Sequence, residues 1–268
     1  MKFYSSSKKS LGQNFLIDKN IVKKITEIVD INPNKTILEI GPGYGILTES
    51  LLSKYPKKIF AIEKDNKLSD FLVEKFNKNK NIKIINQDIL KVINTKSFGK
   101  NITVFGNLPY NISTKILASL ILLEKWPPWY DQLVFMFQKE VADRIIARVK
   151  TKEFSRLSVL SNWRLIVKKH FDISNNCFSP KPKVTSTLLT FVPIKNNKFP
   201  LKNPKNLEVV TRILFQNRRK MINKGFNKLF VNSDMISKKL QINLKNRPDE
   251  LSNEMYYRIA IQYEKLFG

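Results

Sequence analysis

The chain has 268 residues, 42% of them apolar, enough for one large domain and a smaller companion. A single cysteine, Cys177, and a single histidine, His170, argue against an internal disulfide, a zinc cluster and a histidine-based triad. The formal charge of +26 favours a polyanionic partner, and no apolar run approaches the ~20 residues of a membrane span.

Lysine-rich coding bias accounts for part of that charge but not for the arginines, all nine of which lie from Arg144 onward. Nucleic acid is therefore expected rather than an anionic membrane, for which no amphipathic anchor is present. The thiol content fits a reducing, cytoplasmic setting. MKFYSSSKKS has no apolar stretch and is read as a short, unprocessed basic arm.

Asp18 is placed to cap a helix whose apolar positions Ile21, Val22, Ile25, Ile28 and Val29 recur at helical spacing. Thr36 to Ile40 reads as a buried strand that ends in a turn containing Gly41, Gly43 and Gly45, followed by a helix over Leu47 to Ser53. A second strand, Lys58 to Ile62, ends at Glu63. Helix Leu68 to Phe76 and strand Ile82 to Ile85 lead to Asp88. A fourth strand, Ile102 to Phe105, runs into NLPYNIST and a helix over Lys115 to Leu123. Strand Leu133 to Phe137 and helix Lys139 to Arg148 come next, then a hairpin-like pair at Leu165 to Lys168 and Ser186 to Phe191. This alternation predicts an α/β fold with a mostly parallel sheet, whose ligands bind beyond the carboxyl ends of the strands. The texture changes after Val192. Residues 1–193 are assigned to a catalytic domain, the proline-bearing 194–206 to a linker, and 207–268 to a small all-helical domain.

The glycine turn lacks the third glycine of a dinucleotide fingerprint, since Ile46 occupies that place, and it carries no basic residue. With Glu39 beside it, the turn suits a ligand that has a cationic amino-acid part. Glu63 is placed for the two hydroxyls of a ribose, and Asp88 for an adenine amino hydrogen. Together they fit S-adenosylmethionine. At the fourth strand end, Asn107 offers an amide oxygen to a substrate amine, and Pro109 stiffens the turn and aims nearby carbonyls. Tyr110 offers a face to a flipped base. Acceptors aimed at an adenine amine expose its lone pair, and no general base is required.

The chain resembles the ribosomal RNA adenine dimethyltransferase family, in its small-subunit branch, over nearly its whole length. The resemblance rests on LGQNFL (Leu11 to Leu16), LEIGPGYG, IEKD, Gln87-Asp88 and NLPYNIST. It continues through FQKEVADRI, RLSVL, FSPKPKV (Phe178 to Val184) and FQNRRKMI (Phe215 to Ile222). RPDELS (Arg247 to Ser252) matches only loosely. The resemblance implies a Rossmann-like class I S-adenosylmethionine-dependent methyltransferase sheet with a small C-terminal helical domain. It implies N6,N6-dimethylation of two adjacent adenines near the 3′ end of small-subunit ribosomal RNA during ribosome assembly, by a cytoplasmic monomer. Asn14, Leu16, Gly41, Gly43, Glu63, Asp88 and Asn107 would hold the cofactor. Phe178 would face Tyr110 across the target base; its alternative is a loop aromatic that plugs the core. Arg144, Arg148, Arg218 and Arg219 would face RNA, or else form a solvated charged face. Competing readings are a large-subunit methyltransferase, which usually carries isoleucine in place of Leu108, and a DNA adenine methyltransferase, which usually has a double proline there. A third is a binding protein that has lost the reaction, against which intact Glu63, Asp88, Asn107 and Tyr110 argue.

Overall fold

The chain folds in the order that its local signals suggest. The computed structural model describes residues 13–93 and 98–267, and the expected basic arm lies outside them together with Leu11 and Gly12. A two-residue strand, β1 (Phe15–Leu16), leads to α1 (Lys19–Thr26). Asp18 caps α1 by accepting the N–H groups of Asn20 and Ile21 at 2.8 and 3.1 Å, an arrangement worth ~1 kcal/mol. Val22 and Ile25 on its inner face are buried.

Four parallel connections follow: β2 (Thr36–Ile40), α2 (Ile46–Leu52), β3 (Lys58–Glu63), α3 (Asn66–Lys75), β4 (Ile82–Asn86), a one-turn α4 (Ile89–Val92), β5 (Ile102–Gly106), α5 (Ser113–Ile121) and β6 (Tyr130–Gln138). Then come α6 (Lys139–Ile146), α7 (Arg156–Arg164), β7 (Leu165–Ile173), a second short strand β8 (Phe178–Ser179) and β9 (Ser186–Pro193). Seven strands form one sheet in the order β4-β3-β2-β5-β6-β9-β7. β9 runs antiparallel to β6, whereas β4, β3, β2, β5 and β6 are mutually parallel. Ile37, Leu38, Ile59, Val104, Phe105, Leu133 and Phe135 are fully buried, as expected for strands covered on both faces. Each such side chain contributes ~1.5–3 kcal/mol relative to exposure. The strand order reverses beside β2, which pairs with β3 on one side and β5 on the other. The carboxyl ends of those three strands therefore open a crevice at a topological switch point.

β1 and β8 had no counterpart in the periodicity. They pair antiparallel, with Leu16 opposite Phe178 and Phe15 opposite Ser179, and Ile17 donates to the Cys177 carbonyl at 2.9 Å. Two residues are too few to show an alternating pattern.

The chain divides into two compact units. One comprises the residues up to Ser119, Pro128–Ala142 and Lys168–Pro193; the other comprises Leu120–Pro127, Asp143–Val167 and Ile194–Gly268. One boundary between the units falls after Pro193, and two earlier segments belong to the helical unit. Arg164 shows why. Its guanidinium lies over the rings of Trp126 and Trp163 at 4.7 and 4.0 Å and donates to the carbonyls of Ile121 and Leu123. Residues 194–206 are a packed strap rather than a free linker. Phe199 accepts from the Trp163 indole at 2.9 Å, and Glu264 accepts the N–H groups of Lys202 and Asn203, each at 2.8 Å. Four helices complete this unit: α8 (Lys205–Leu214), α9 (Asn223–Leu229), α10 (Ser233–Leu240) and α11 (Asn253–Phe267). No helix among the described residues is long and apolar enough to cross a membrane.

Candidate active site

The site starts at Glu39, whose side chain points from β2 into the buried interior with 1% exposure. Burial pushes its carboxyl up to about 7, against the Thr48 hydroxyl that donates to it, while the charge of Glu63 adds to the rise. The glycine turn follows immediately. Gly43 has φ +59°, and a Cβ there would lie 2.7 Å from the Phe15 ring, so the N-terminal strand packs where only glycine leaves room. Phe15 also meets Tyr44 edge-on at 4.7 Å. The turn and the N-terminal strand are thus built against each other.

Glu63 ends β3 and is 5% exposed. Its Oε2 accepts the Gly43 N–H at 3.2 Å and its Oε1 the Asp65 N–H at 2.9 Å. Burial raises its carboxyl above the usual range, with those N–H groups and that of Lys64 opposing the rise and the Asp65 charge assisting it. Three N–H groups against four lone pairs leave one for a further donor. Asp88 caps α4 through the Leu90 N–H at 3.0 Å and pairs with Lys64 at 2.9 Å. Burial works to raise the Asp88 carboxyl, but the Lys64 hydrogen bond, the Leu90 N–H and the fields of Lys64 and Lys91 together hold it below the usual range.

Asn107 follows β5. Its Nδ2 donates to the main-chain carbonyl of Asn14 at 2.9 Å. A carbonyl can only accept, so this contact sets the amide's orientation and leaves Oδ1 as the available acceptor. The Pro109 carbonyl is occupied by the N–H groups of Ile112 and Ser113 at 3.1 and 3.0 Å. The neighbouring Leu108 carbonyl receives no hydrogen bond from the described residues. Tyr110 is half-buried, and its hydroxyl shares a 2.6 Å hydrogen bond with Ser186 Oγ. Burial raises its phenol above the usual range despite that bond.

These residues line two adjoining cavities. One, of ≈ 60 Å³, is walled by Asn14, Leu16, Gly43, Asn107 and Tyr110, with Glu39 beneath. The other, of ≈ 200 Å³, is walled by Lys64, Asp88, Ile89 and Ile112. Gly41, Glu63 and Pro109 line both. Sequence reasoning missed Gln13 and Ser186, and it missed Lys64 although IEKD contains it; the partners that give these residues meaning lie far away along the chain.

Phe178 is not among the lining residues. It is 3% exposed and packs in the core with Leu16 and Cys177, because its pairing with β1 carries the ring inward. Its burial is that of a core-packing aromatic. The four arginines belong to the helical unit. Arg144, Arg148 and Arg219 are exposed. Arg218 is held by the Thr151 carbonyl at 3.0 Å and by Asp249 at 3.7 Å. His170 sits on β7 beside Thr190. No group of three His, Cys, Asp or Glu side chains placed to hold a metal occurs among the described residues.

Carboxylates lie at consecutive strand ends around a glycine turn, with an oriented amide at the next strand, on a sheet of the class I methyltransferase type. The fold agrees with the crystal structure of a dimethyladenosine transferase from Plasmodium falciparum, at a TM-score of 0.75 and 24% identity, covering 94% of this chain and 98% of that one. Ribosomal RNA small subunit methyltransferase A of Pelagibacter ubique (strain HTCC1062) is 51% identical over 265 residues, 99% of this chain and 100% of that protein. The protein of the same name from Wolbachia sp. subsp. Drosophila simulans (strain wRi) is 37% identical, over 99% of this chain and 97% of that protein. The model of the ribosomal RNA adenine dimethylase family matches residues 4–265, and the chain belongs to that family.

Proposed function

We propose that this protein transfers methyl groups from S-adenosylmethionine to N6 of two adjacent adenines near the 3′ end of small-subunit ribosomal RNA, two groups to each. The small-subunit assignment is supported by the names of the relatives just described. The observation that carries the chemistry is the Asn107 amide, oriented by the Asn14 carbonyl so that Oδ1 is left to accept, in a cavity that Leu108 also lines.

The donor set fits the cofactor. Glu63 would take the ribose hydroxyls, Asp88 the adenine side of the larger cavity, and Glu39 with the glycine turn the cationic end. Bound there, the cofactor supplies an electrophilic methyl carried on a sulfonium. The chain's own part is to present the amine. Oδ1 of Asn107 and the Leu108 carbonyl accept its two hydrogens, which favours a pyramidal nitrogen and frees the lone pair. Tyr110 holds the base by its ring face, and its raised phenol stays protonated at neutral pH, so it is no base. None is needed, because the alkylated nitrogen is acidic and loses its proton to water. The helical unit, with exposed Arg144, Arg148 and Arg219, supplies the RNA-facing charge. The protein acts as a cytoplasmic monomer on the assembling particle.

The test is to incubate the protein and labelled cofactor with small subunits that lack these modifications and to identify the labelled nucleosides. Dimethyladenosine in small-subunit RNA is expected. Label confined to large-subunit RNA or to DNA would overturn the assignment.

A further inference from the structure

The helical unit carries a second cavity, of ≈ 400 Å³, at the end of α8 and the start of α9. Its rim holds Arg219, Lys220, Lys224, Lys228 and Arg247, and no carboxylate lines it. None of these five cations forms an ion pair among the described residues. The contrast with Arg218 is instructive, since that side chain is tied to Asp249 and lies outside the lining. Five exposed like charges around one opening raise the local positive potential, which favours an anion there.

The floor differs from the rim. Met221, 53% exposed, and the part-exposed Ile213 give it apolar surface, and the amides of Gln216, Asn217 and Asn223 line the same space. The walls are held in place. A Cβ on Gly225 would lie 3.2 Å from Leu214 Cδ2 and 3.3 Å from the Ile213 carbonyl, so α9 lies as close to α8 as glycine allows. Ile222 donates to the Asn246 carbonyl at 2.9 Å, which sets Arg247 at the opening.

A cationic rim alone would serve a phosphate crossing the surface. A cationic rim over an apolar floor with amides, in a volume within the ~300–1,000 Å³ of small-ligand sites, suits more than a phosphate. We infer that this cavity anchors one unstacked nucleotide of ribosomal RNA, distinct from the adenine that is methylated. The phosphate lies on the lysines and arginines, and the base lies against Met221 and Ile213 with its edge toward the amides. This rests on the RNA substrate proposed above. It adds a second grip on single-stranded RNA, far in sequence from the catalytic residues.

The experiment compares the full chain with two variants, Lys224→Gln/Lys228→Gln and Asn217→Trp, the latter filling the cavity while keeping every charge. Affinity for small-subunit particles is measured over a salt series, alongside methylation kinetics and S-adenosylmethionine affinity. The lysine variant is expected to reduce the salt slope by roughly 0.7–0.9 for each lysine–phosphate pair it removes. The tryptophan variant is expected to keep the slope and raise KM about tenfold. Cofactor affinity stays at the wild-type value in both. An effect of the lysine variant without one from Asn217→Trp overturns the nucleotide site, because phosphates then pass over the rim only. Unchanged binding by both variants also overturns it. Losses seen with intact particles but absent with deproteinised RNA would assign the cavity to a ribosomal protein instead. Particle binding is scored separately from methyl transfer, so a wild-type chain that binds without methylating overturns the functional reading and leaves this one standing.

Discussion

The two sites of this molecule carry opposite charge. The cavities at the sheet are lined by Glu39, Glu63 and Asp88, with Lys64 the one cation among their lining residues. The cavity in the helical unit is lined by five cations and no carboxylate. Both lie in a chain of formal charge +26. The net charge of a chain therefore does not set the sign of each of its cavities. The acids suit a cationic cofactor, and the lysines and arginines a phosphate backbone. Substitutions that separate the two sites test this division.

The largest effect is expected at Asn107. Asn107→Ala removes the oriented acceptor, which matters most as the amine pyramidalises. Turnover should fall about 10²–10³-fold, the scale of losing one preorganised polar group at a reacting centre. Affinity for the ribosomal particle should be unchanged. Asn107→Asp is a sharper probe, because a carboxylate cannot donate to the Asn14 carbonyl that orients the amide. Turnover within a few-fold of wild type for both variants would remove the acceptor role.

Next in size is the buried Glu39. Its carboxyl stands at about 7 in the fold against 4.5 ordinarily. The folded chain therefore holds a proton that the unfolded chain has lost between those values, and stability falls as pH rises through that window. The contribution is fully present below ~4.5 and gone above ~7, a difference on the order of 3 kcal/mol. Glu39→Gln keeps an acceptor for the Thr48 hydroxyl and removes the titration. Thermal unfolding from pH 4.5 to 8 should show wild type losing ground to the variant as pH rises. Parallel curves would mean that Glu39 does not titrate in this window. Binding of a cationic ligand should also expel the Glu39 proton near neutrality, so calorimetric heats should depend on buffer more strongly for wild type than for Glu39→Gln.

Glu63→Ala comes third. It should weaken S-adenosylmethionine binding by about 1.5–3 kcal/mol, the range for hydrogen bonds to a charged group. The salt dependence of RNA binding should not move. Unchanged cofactor affinity would take Glu63 out of the site, and a changed salt slope would break the separation between the two cavities.

The parts of this architecture that were legible in the sequence are those with local causes. The glycine turn, Asp18 before a helical stripe, and Glu63, Asp88 and Asn107 at strand ends all depend on neighbours a few residues away. The partnerships were not legible. Asn107 Nδ2 reaches Asn14 across 93 positions, and Tyr110 reaches Ser186 across 76. The pairing of Phe178 with Leu16 belongs to a two-residue ladder that leaves no periodic trace. The strap over residues 194–206 looked like a linker because its prolines and low apolar content are visible locally. Its tie to Glu264, 61 and 62 positions on, is not. A run of basic residues hid the last distinction: FQNRRK presents Arg218 and Arg219 as equivalent, and their surroundings make them different.

That pair gives the smallest and most discriminating test. Arg218 donates to the Thr151 carbonyl and pairs with Asp249 while its side chain stays 35% exposed. Its loss should cost only about 1 kcal/mol of stability, since solvent screens a half-exposed ion pair. Arg219 is exposed and lines the cationic cavity without an acidic partner among the described residues. Arg219→Ala should leave the melting temperature in place and reduce the salt slope of particle binding by roughly 0.7–0.9. Arg218→Ala should do the reverse, lowering the melting temperature with a slope near wild type. Denaturation and salt-titrated binding on both variants separate the two roles. If both arginines shift the slope equally, the Asp249 contact does not hold Arg218 away from RNA, and the pair acts as one basic surface.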